Sequence, residues 1–365
     1  MNDIENILTT NYIYLKVGNL SINVKDKEYV YKNDLIMSNE TNKVYSTVSG
    51  NILGLTKIYN QKYIVIENDY KDKIRKRYNK RNINNYSKEE LNELNNEFLV
   101  IEDFDITSKV LIINGLDSYN EDITFNTLIK EYTINILDTI DALIDIMGIK
   151  KCFFAVSNMD TDTVNVLVNN MGTYPKIDLK LYKNDNIISN KKILINKLTN
   201  YKNKNYKVQY LDIIDIINIY NLLKKHIPVT RNYITLAGNL LNTKKVLQIN
   251  IGSNIKDILN EFNIDNKNII VNGLLSGKKI SDTNFILDKN IKSIYIEKEK
   301  KYKTVDCINC GLCTSICPVN INPKYMYFNN NNKSENYKNK CINCGICSYV
   351  CPSKINLTKG SDKIW

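Results

Sequence analysis

The chain has 365 residues, 43% of them hydrophobic and 24% charged, a balance that excludes both a disordered polymer and a membrane-embedded bundle and leaves room for two or more modules. Fifty Lys and Arg against thirty-nine Asp and Glu give +11. The excess is spread along a chain crowded with Asn, Ile, Lys and Tyr, as an AT-rich genome would produce, and forms no stripe, so nucleic acid is not the expected partner.

In chain order, residues 11–67 are short β-prone runs, YIYLKV, VYSTVSGNILGL and KYIVIEN, parted by Asn, Asp and Gly turn signals. Lys43, in ETNKVYSTVSG, sits where a carrier lysine would, but Gly50 follows too soon for a lipoyl hairpin, and Lys43 is expected to be an exposed turn residue. The basic run KDKIRKRYNKR at 71–81 reads as a solvated linker. After it, Ser87 and Glu90 form a capping-box start for one short helix.

From Lys109 the pattern changes. The strand VLIIN is followed by a long helix with Ile136, Leu137, Ile140, Leu143 and Met147 on one face, then by the strand CFFAV, a helix at 162–171 and the strand IDLKLY. Such alternation predicts an α/β layer on a largely parallel sheet. Cys152, in the CFFAV run, is expected in its core. Near Thr230 come YITLAG, KKVLQINIG, a helix capped by Ser253 with Ile255, Ile258, Leu259 and Phe262 inward, then IIVNG and SIYIEK, a small β-grasp-like module. The longest apolar run, 213–223, is broken by Asp215 and Asn218 and falls short of the ~20 residues that span a bilayer. MNDIENILTT lacks the pattern of a secretory signal, so a cytoplasmic location is expected.

The chemistry lies at the C-terminal end. Eight of nine cysteines fall in the last 59 residues, in CINCGLCTSICP and CINCGICSYVCP. This is the C-x2-C-x2-C-x3-C-P run of two-cluster ferredoxins, written twice, and a third cysteine at the same step would be surplus to a zinc knuckle. By the rule for such runs, the fourth cysteine of each serves the other cluster. Cys307, Cys310, Cys313 and Cys351 are therefore expected to hold one [4Fe-4S] cluster, and Cys341, Cys344, Cys347 and Cys317 the second. Gly311 and Gly345 would let the loop backbone approach the sulfides, and Pro318 and Pro352 end each run. His226 is the single histidine, too little for a His-based metal cage or a hydrolytic triad.

This order of modules resembles the RnfC subunits of Rnf electron transport complexes, and also related proline-reductase-associated and cobalamin-reductase proteins. The likeness is most specific at the two cysteine runs and their 23-residue spacer. VYSTVSGNILGL resembles the family's hammerhead, VLIING its first α/β strand, and YITLAGNLLNTKKVLQINIGS its ligand-binding β-grasp. The resemblance implies a multidomain α+β fold. Its parts would be a β-rich hammerhead module at 1–70, a polar linker with a short helix at 71–108, and an α/β flavin/NADH-dehydrogenase-like module at 109–228. A β-grasp (SLBB-like) module at 229–298 and a helical two-cluster ferredoxin domain at 299–365 would follow. It implies an electron-transfer subunit, with no catalytic residue of its own, at the inner face of the cell membrane, working with other subunits of a membrane redox complex and with ferredoxin or a similar carrier.

Two departures bear on FMN and NADH. The family's glycine-rich loop before the VLIIN strand is replaced by NNEFLVIEDFDITSK, and among the thirteen glycines there is no Gly-Gly and no Gly-x-Gly. Side-chain-bearing residues cannot bring backbone N–H groups onto a pyrophosphate in the same way. The acidic stretch after the strand is replaced by GLDSYNED, where Asp117, Glu121 and Asp122 are the nearest candidates for a flavin-facing carboxylate; their plainer reading is a polar loop. An electron relay without flavin is thus expected ahead of an NADH-oxidising, flavin-dependent subunit. A non-redox interaction module with structural clusters is the rival from another class.

Overall fold

A computed structural model describes residues 4–8, 10–75, 81–119, 121–183, 187–199, 207–265, 268–280, 282–298, 303–329 and 331–358. Of the basic run at 71–81, residues 76–80 lie outside the described residues.

Alternation builds the first module. In Gln61–Asn68 the side chains of Ile64, Ile66 and Asn68 turn inward while Glu67 faces out, the period of two that a half-buried strand requires. This strand lies between Tyr12–Lys16 and Gly50–Ile58, antiparallel to both, and Tyr29–Val30 completes the sheet. Ser21–Ile22, Leu35–Ser38 and Lys43–Tyr45 form a second sheet, and Ile13, Ile36, Met37, Ile52, Ile64 and Ile66 fill the core between. Lys43 is not an exposed turn residue. It opens a strand, and its Nζ donates to the carbonyls of Asn96 (3.0 Å) and Glu97 (2.8 Å) at the end of the helix Lys88–Phe98. Those carbonyls lack intrahelical partners and favour a cation.

The helix Lys88–Phe98 starts as its capping box requires. The Ser87 hydroxyl accepts from the Glu90 amide (3.2 Å), and the Glu90 carboxylate accepts from the Ser87 amide (2.8 Å). Its surroundings are not a solvated linker. Ile83, Tyr86, Leu91 and Phe98 are buried in the same core as the α/β helices. Even the basic run is engaged: Arg75 pairs with Asp34 at 2.9 Å, and Arg81 pairs with Glu90 at 2.8 Å while lying over the Tyr86 ring.

Four parallel strands follow in the order Ile177–Tyr182, Lys151–Ser157, Val110–Gly115, Val208–Asp212. Every residue of Val110–Gly115 is buried. Leu111 and Ile113 pack on the core that holds the helices Thr124–Met147 and Ile213–Lys225, whereas Val110 and Ile112 pack on Leu194 of the helix Lys191–Thr199. Both faces are covered, which is why the strand reads as a continuous apolar run. Cys152 lies in this core, its thiol pushed up to about 12 by burial. The strand order reverses between Val110–Gly115 and Val208–Asp212, and at such a reversal a crevice opens outside the carboxyl ends.

A six-stranded mixed sheet comes next, in the order Ile4–Ile7, Lys245–Asn250, Arg231–Ala237, Ser293–Ile296, Ile269–Val271, Lys278–Ile280. The helix Ile255–Glu261 buries Ile255, Ile258 and Leu259 against it. Two expectations need correction. Residues 4–7 pair in parallel with Lys245–Asn250 and so join this sheet rather than the first module. The helix cap is Asn254, whose side chain accepts from the Lys256 amide (2.9 Å); the Ser253 hydroxyl is turned back onto the Asn250 carbonyl (2.8 Å).

The last segment has four short helices, Leu312–Ser315, Pro323–Phe328, Asn332–Lys340 and Ile346–Tyr349. Among the described residues no helix is long and apolar enough to cross a membrane. Because Leu91 is 1% exposed in the main core, Leu91→Ala should cost about 2–5 kcal/mol of stability, whereas Glu93→Ala on the exposed face should stay within about 0.5 kcal/mol. Chemical denaturation of both variants checks that this helix belongs to the core.

Candidate functional site

The two cysteine loops share one backbone. Asn309 and Asn343 both stand at φ 58°, and Gly311 and Gly345 at φ 76° and 77°, the left-handed region in which glycine carries no steric cost. Each glycine precedes a short helix, Leu312–Ser315 or Ile346–Tyr349, that carries the third cysteine of its run, and the fourth follows just beyond the helix end. Backbone N–H groups point at sulfur: the Asn343 amide donates to Cys341 Sγ at 3.4 Å. Such bonds tune the potential of a thiolate-held cluster.

The two runs pack against each other. Burial pushes the Cys344 thiol up, and the charges that reach it include Cys341 and, from the first run, Cys317. Burial likewise lifts Cys347, to about 11, with Cys344 and Cys341 as its charged neighbours. Conversely Cys351, of the second run, forms a small buried group with Ile355 and Leu357, against which Cys307, Cys313 and Cys347 pack. Among the described residues no three His, Cys, Asp or Glu side chains gather closely enough to hold one metal ion. A cubane asks for a wider set, because each of its four thiolates binds a different iron. The eight thiols of the two runs are enough for two such sets.

The second place with chemistry is the crevice of the parallel sheet, a cavity of about 620 Å³ bordered by Leu99, Val100, Tyr119, Asp212, Asp215 and Lys292. Asp117 is buried at the start of the helix Thr124–Met147, where its carboxylate accepts from the Phe125 (2.8 Å) and Asn126 (3.4 Å) amides. Burial nonetheless pushes it up to about 6. Asp122 is pushed up to about 8 by burial and by Asp117, and accepts from the Tyr295 hydroxyl. Glu121 points elsewhere, to Lys244 at 2.5 Å, half exposed. The plain reading of a polar loop thus holds for Glu121 only. Asp212, Asp215 and Lys292 are additions. The two aspartates form the capping box of Ile213–Lys225, burial beside Asp212 pushes Asp215 up to about 8, and Lys292 stands 3.7 Å from Asp212. The spacing D-x-x-D after the strand VQYL is a capping signal visible in the sequence. Lys292 comes from the other sheet and leaves no local trace.

The glycine-free stretch does border this crevice, and several of its amides are bonded within the protein. Leu99 N–H goes to the Asn95 carbonyl (2.6 Å), Ile101 N–H to Asn95 Oδ1 (2.9 Å), Asp105 N–H to Gln209 Oε1 (2.7 Å) and Thr107 N–H to Asp105 Oδ1 (2.9 Å). A larger cavity of about 1030 Å³ lies on the other side of the helix Lys88–Phe98, among Lys32, Arg75, Tyr132, His226 and Arg231. Among its cations Lys32 pairs with Asp72 at 2.6 Å and Arg75 with Asp34 at 2.9 Å, and His226 is held by the Tyr86 hydroxyl at 2.9 Å.

Comparison with known proteins bears on the cysteine region and on the longer chain. A family model described as a 4Fe-4S dicluster domain matches residues 306–355. The C subunit of the ion-translocating oxidoreductase complex of Buchnera aphidicola subsp. Baizongia pistaciae is 28% identical over 235 residues, 60% of this chain and 46% of its own. Its counterpart in Buchnera aphidicola subsp. Acyrthosiphon pisum is 26% identical, covering 61% and 50%. The C subunit of the Na(+)-translocating ferredoxin:NAD(+) oxidoreductase complex of Acetobacterium woodii is 24% identical, covering 48% and 43%. The chain spans about half the length of the curated relatives it matches. A solved NAD+-reducing [NiFe]-hydrogenase in the air-oxidised state aligns with 53% of this chain and 40% of its own at 12% identity and a TM-score of 0.42. The chain is therefore RnfC-like, similar over some three fifths of its length to C subunits of ion-translocating oxidoreductase complexes, and it carries a 4Fe-4S dicluster domain near its C-terminal end.

Proposed function

We propose that the chain is an iron–sulfur electron-transfer subunit that passes single electrons through two [4Fe-4S] clusters within a membrane-associated redox complex. What supports this is the pair of cysteine loops of one backbone, packed against each other and matched by a 4Fe-4S dicluster domain over residues 306–355. Cys307, Cys310, Cys313 and Cys351 would hold the first cluster, and Cys341, Cys344, Cys347 and Cys317 the second. Such clusters, when bound, exchange one electron each without a proton. The chain's own part is to hold them side by side, to aim amides such as Asn343 N–H at their sulfurs, and to set their burial.

Within the RnfC-like reading, the first β-rich unit corresponds to the hammerhead and the six-stranded sheet with its helix to the SLBB-like β-grasp. Other subunits of a membrane redox complex are the expected partners, with ferredoxin or a similar carrier among them. The location that suits this is peripheral, on the inner face of the cell membrane, and the basic surface would favour an anionic one.

The crevice residues do not fit a dinucleotide or flavin phosphate. Helix N-termini are the usual anion sites of an α/β fold, and the one at the crevice, of Ile213–Lys225, is filled by the chain's own Asp212, as that of Thr124–Met147 is by Asp117. In the stretch where the family's glycine loop would lie, the amides of Leu99, Ile101, Asp105 and Thr107 are bonded within the protein. An NADH-oxidising, flavin-dependent subunit is the alternative, supported by the family likeness alone.

Purified without oxygen, the protein should contain about eight iron and eight sulfide per chain; stoichiometric zinc without visible absorbance would contradict the assignment. Cys317→Ser should damage the cluster of Cys341, Cys344 and Cys347 more than that of its sequence neighbours, read by iron content and by the spectrum of the reduced protein. Loss confined to the first cluster would refute the crossing. Each amide missing from a phosphate cradle forfeits about 1.5–3 kcal/mol, so two would weaken binding roughly a hundredfold or more. Flavin-supplemented anaerobic protein should therefore keep its cluster absorbance at micromolar NADH, and bleaching there would restore the dehydrogenase reading.

A further inference from the structure

The two cysteine loops are near copies in sequence, with Ile308, Leu312 and Ile316 of the first in register with Ile342, Ile346 and Val350 of the second. Their surroundings differ. The second loop is covered by its own chain: a Cβ at Gly345 would overlap the Leu275 carbonyl and press on the Ser276 amide, so the turn at 272–277 lies directly on it. Ile342, Ile346 and Val350 are correspondingly half-buried. Nothing covers the first loop within the described residues. A Cβ at Gly311 would meet no atom within 4 Å, Ile308 is 65% exposed, Leu312 47% and Ile316 46%, and Cys310 is exposed where its counterpart Cys344 is not.

The same backbone has its apolar residues half-buried in one loop and exposed in the other, Tyr349 apart, so the loop does not need them covered in order to form. Large apolar side chains gathered on a surface mark a protein contact. The charges around them are mostly positive. Lys324 donates to Asn309 Oδ1 of the same loop, and the Val305 amide bonds the Ser353 carbonyl (3.1 Å), which brings Lys303 and Lys354 to this end, with Asp306 the acid among them. A second copy of the chain would set lysines against lysines, whereas an acidic partner would be steered to the face.

Resting on the electron-transfer reading, we infer that the first cysteine loop is the outward terminal of the chain: its apolar face receives an acidic protein that carries a one-electron centre, in the position the turn at 272–277 takes on the second loop. The second loop faces inward. One electron moves per encounter, the acidic partner being oxidised by one and the chain reduced by one, or the reverse, with no bond made or broken.

The test uses anaerobic holoprotein and, as probe, a small acidic two-cluster ferredoxin, with the dissociation constant read by calorimetry and electron exchange by stopped flow. Wild-type affinity should fall as salt rises. Leu312→Gln with Ile316→Gln should weaken it at least tenfold and slow exchange in proportion, and so should Lys303→Glu with Lys324→Glu, which keeps the test alive if the apolar pair fails to fold. Leu53→Gln with Leu55→Gln, equally exposed on the first module, should change nothing. Unchanged binding in both test pairs, or equal weakening by the Leu53 and Leu55 pair, overturns the inference. Anionic vesicles or a second copy of the chain, rather than the ferredoxin, proving to be what the two pairs release would do the same. Wild-type protein without iron, or with clusters that dithionite does not reduce, would instead sink the electron-transfer reading itself.

Discussion

Three close approaches of backbone gather at the turn 272–277, and one of them seats the second cysteine loop. Gly273 lies under the Tyr119 ring, Gly277 sits on the carbonyls of Val271 and Gly273, and Gly345 rests on the carbonyl of Leu275; a side chain at any of the three would force its neighbour away. Gly273 and Gly345 also have positive φ, at 91° and 77°, so glycine is required there twice over, by space and by conformation. Tyr119 belongs to the loop that borders the crevice of the parallel sheet, and Gly345 to the second cysteine loop. The turn therefore touches both, and the arrangement of the crevice, the six-stranded sheet and the cysteine region depends on it.

The chemistry on the two sides of that turn differs in kind. On one side, buried carboxylates complete helices. Asp117 caps Thr124–Met147 and Asp212 with Asp215 caps Ile213–Lys225, while burial pushes Asp117 up to about 6 and Asp122 and Asp215 up to about 8. Burial disfavours the charged form of each, and protonation of Asp122 and Asp215 near neutral pH lessens the repulsion among these acids beside Lys292. On the other side stand the eight thiols of the two cysteine runs.

What the sequence made legible was local. The cysteine spacing, the capping box of Ser87 and Glu90, the buried run of Val110–Gly115 and the apolar face of Thr124–Met147 each follow from residues within a turn or two of one another, and each appears where the pattern puts it. What escaped was contact between distant parts. Residues 4–7 are too short to announce a strand and gain their identity by pairing with 246–249. Lys43 reads as a turn lysine until a helix end some fifty residues later presents its carbonyls. The stretch 82–108 looks polar in composition, yet Leu91, Phe98, Val100 and Ile101 point into a core that only the folded chain supplies. The asymmetry of the cysteine loops is the extreme case, because two segments of nearly one sequence differ solely in what lies over them.

The central claim is that one chain holds two clusters side by side through exchanged cysteines. Electron paramagnetic resonance of the fully dithionite-reduced, oxygen-free protein tests it most directly. Clusters that share crossing loops should give a broadened spectrum with splittings from spin–spin coupling, which simplifies to one uncoupled signal at half reduction. Two independent, uncoupled signals at full reduction, or no signal at all, would contradict the account.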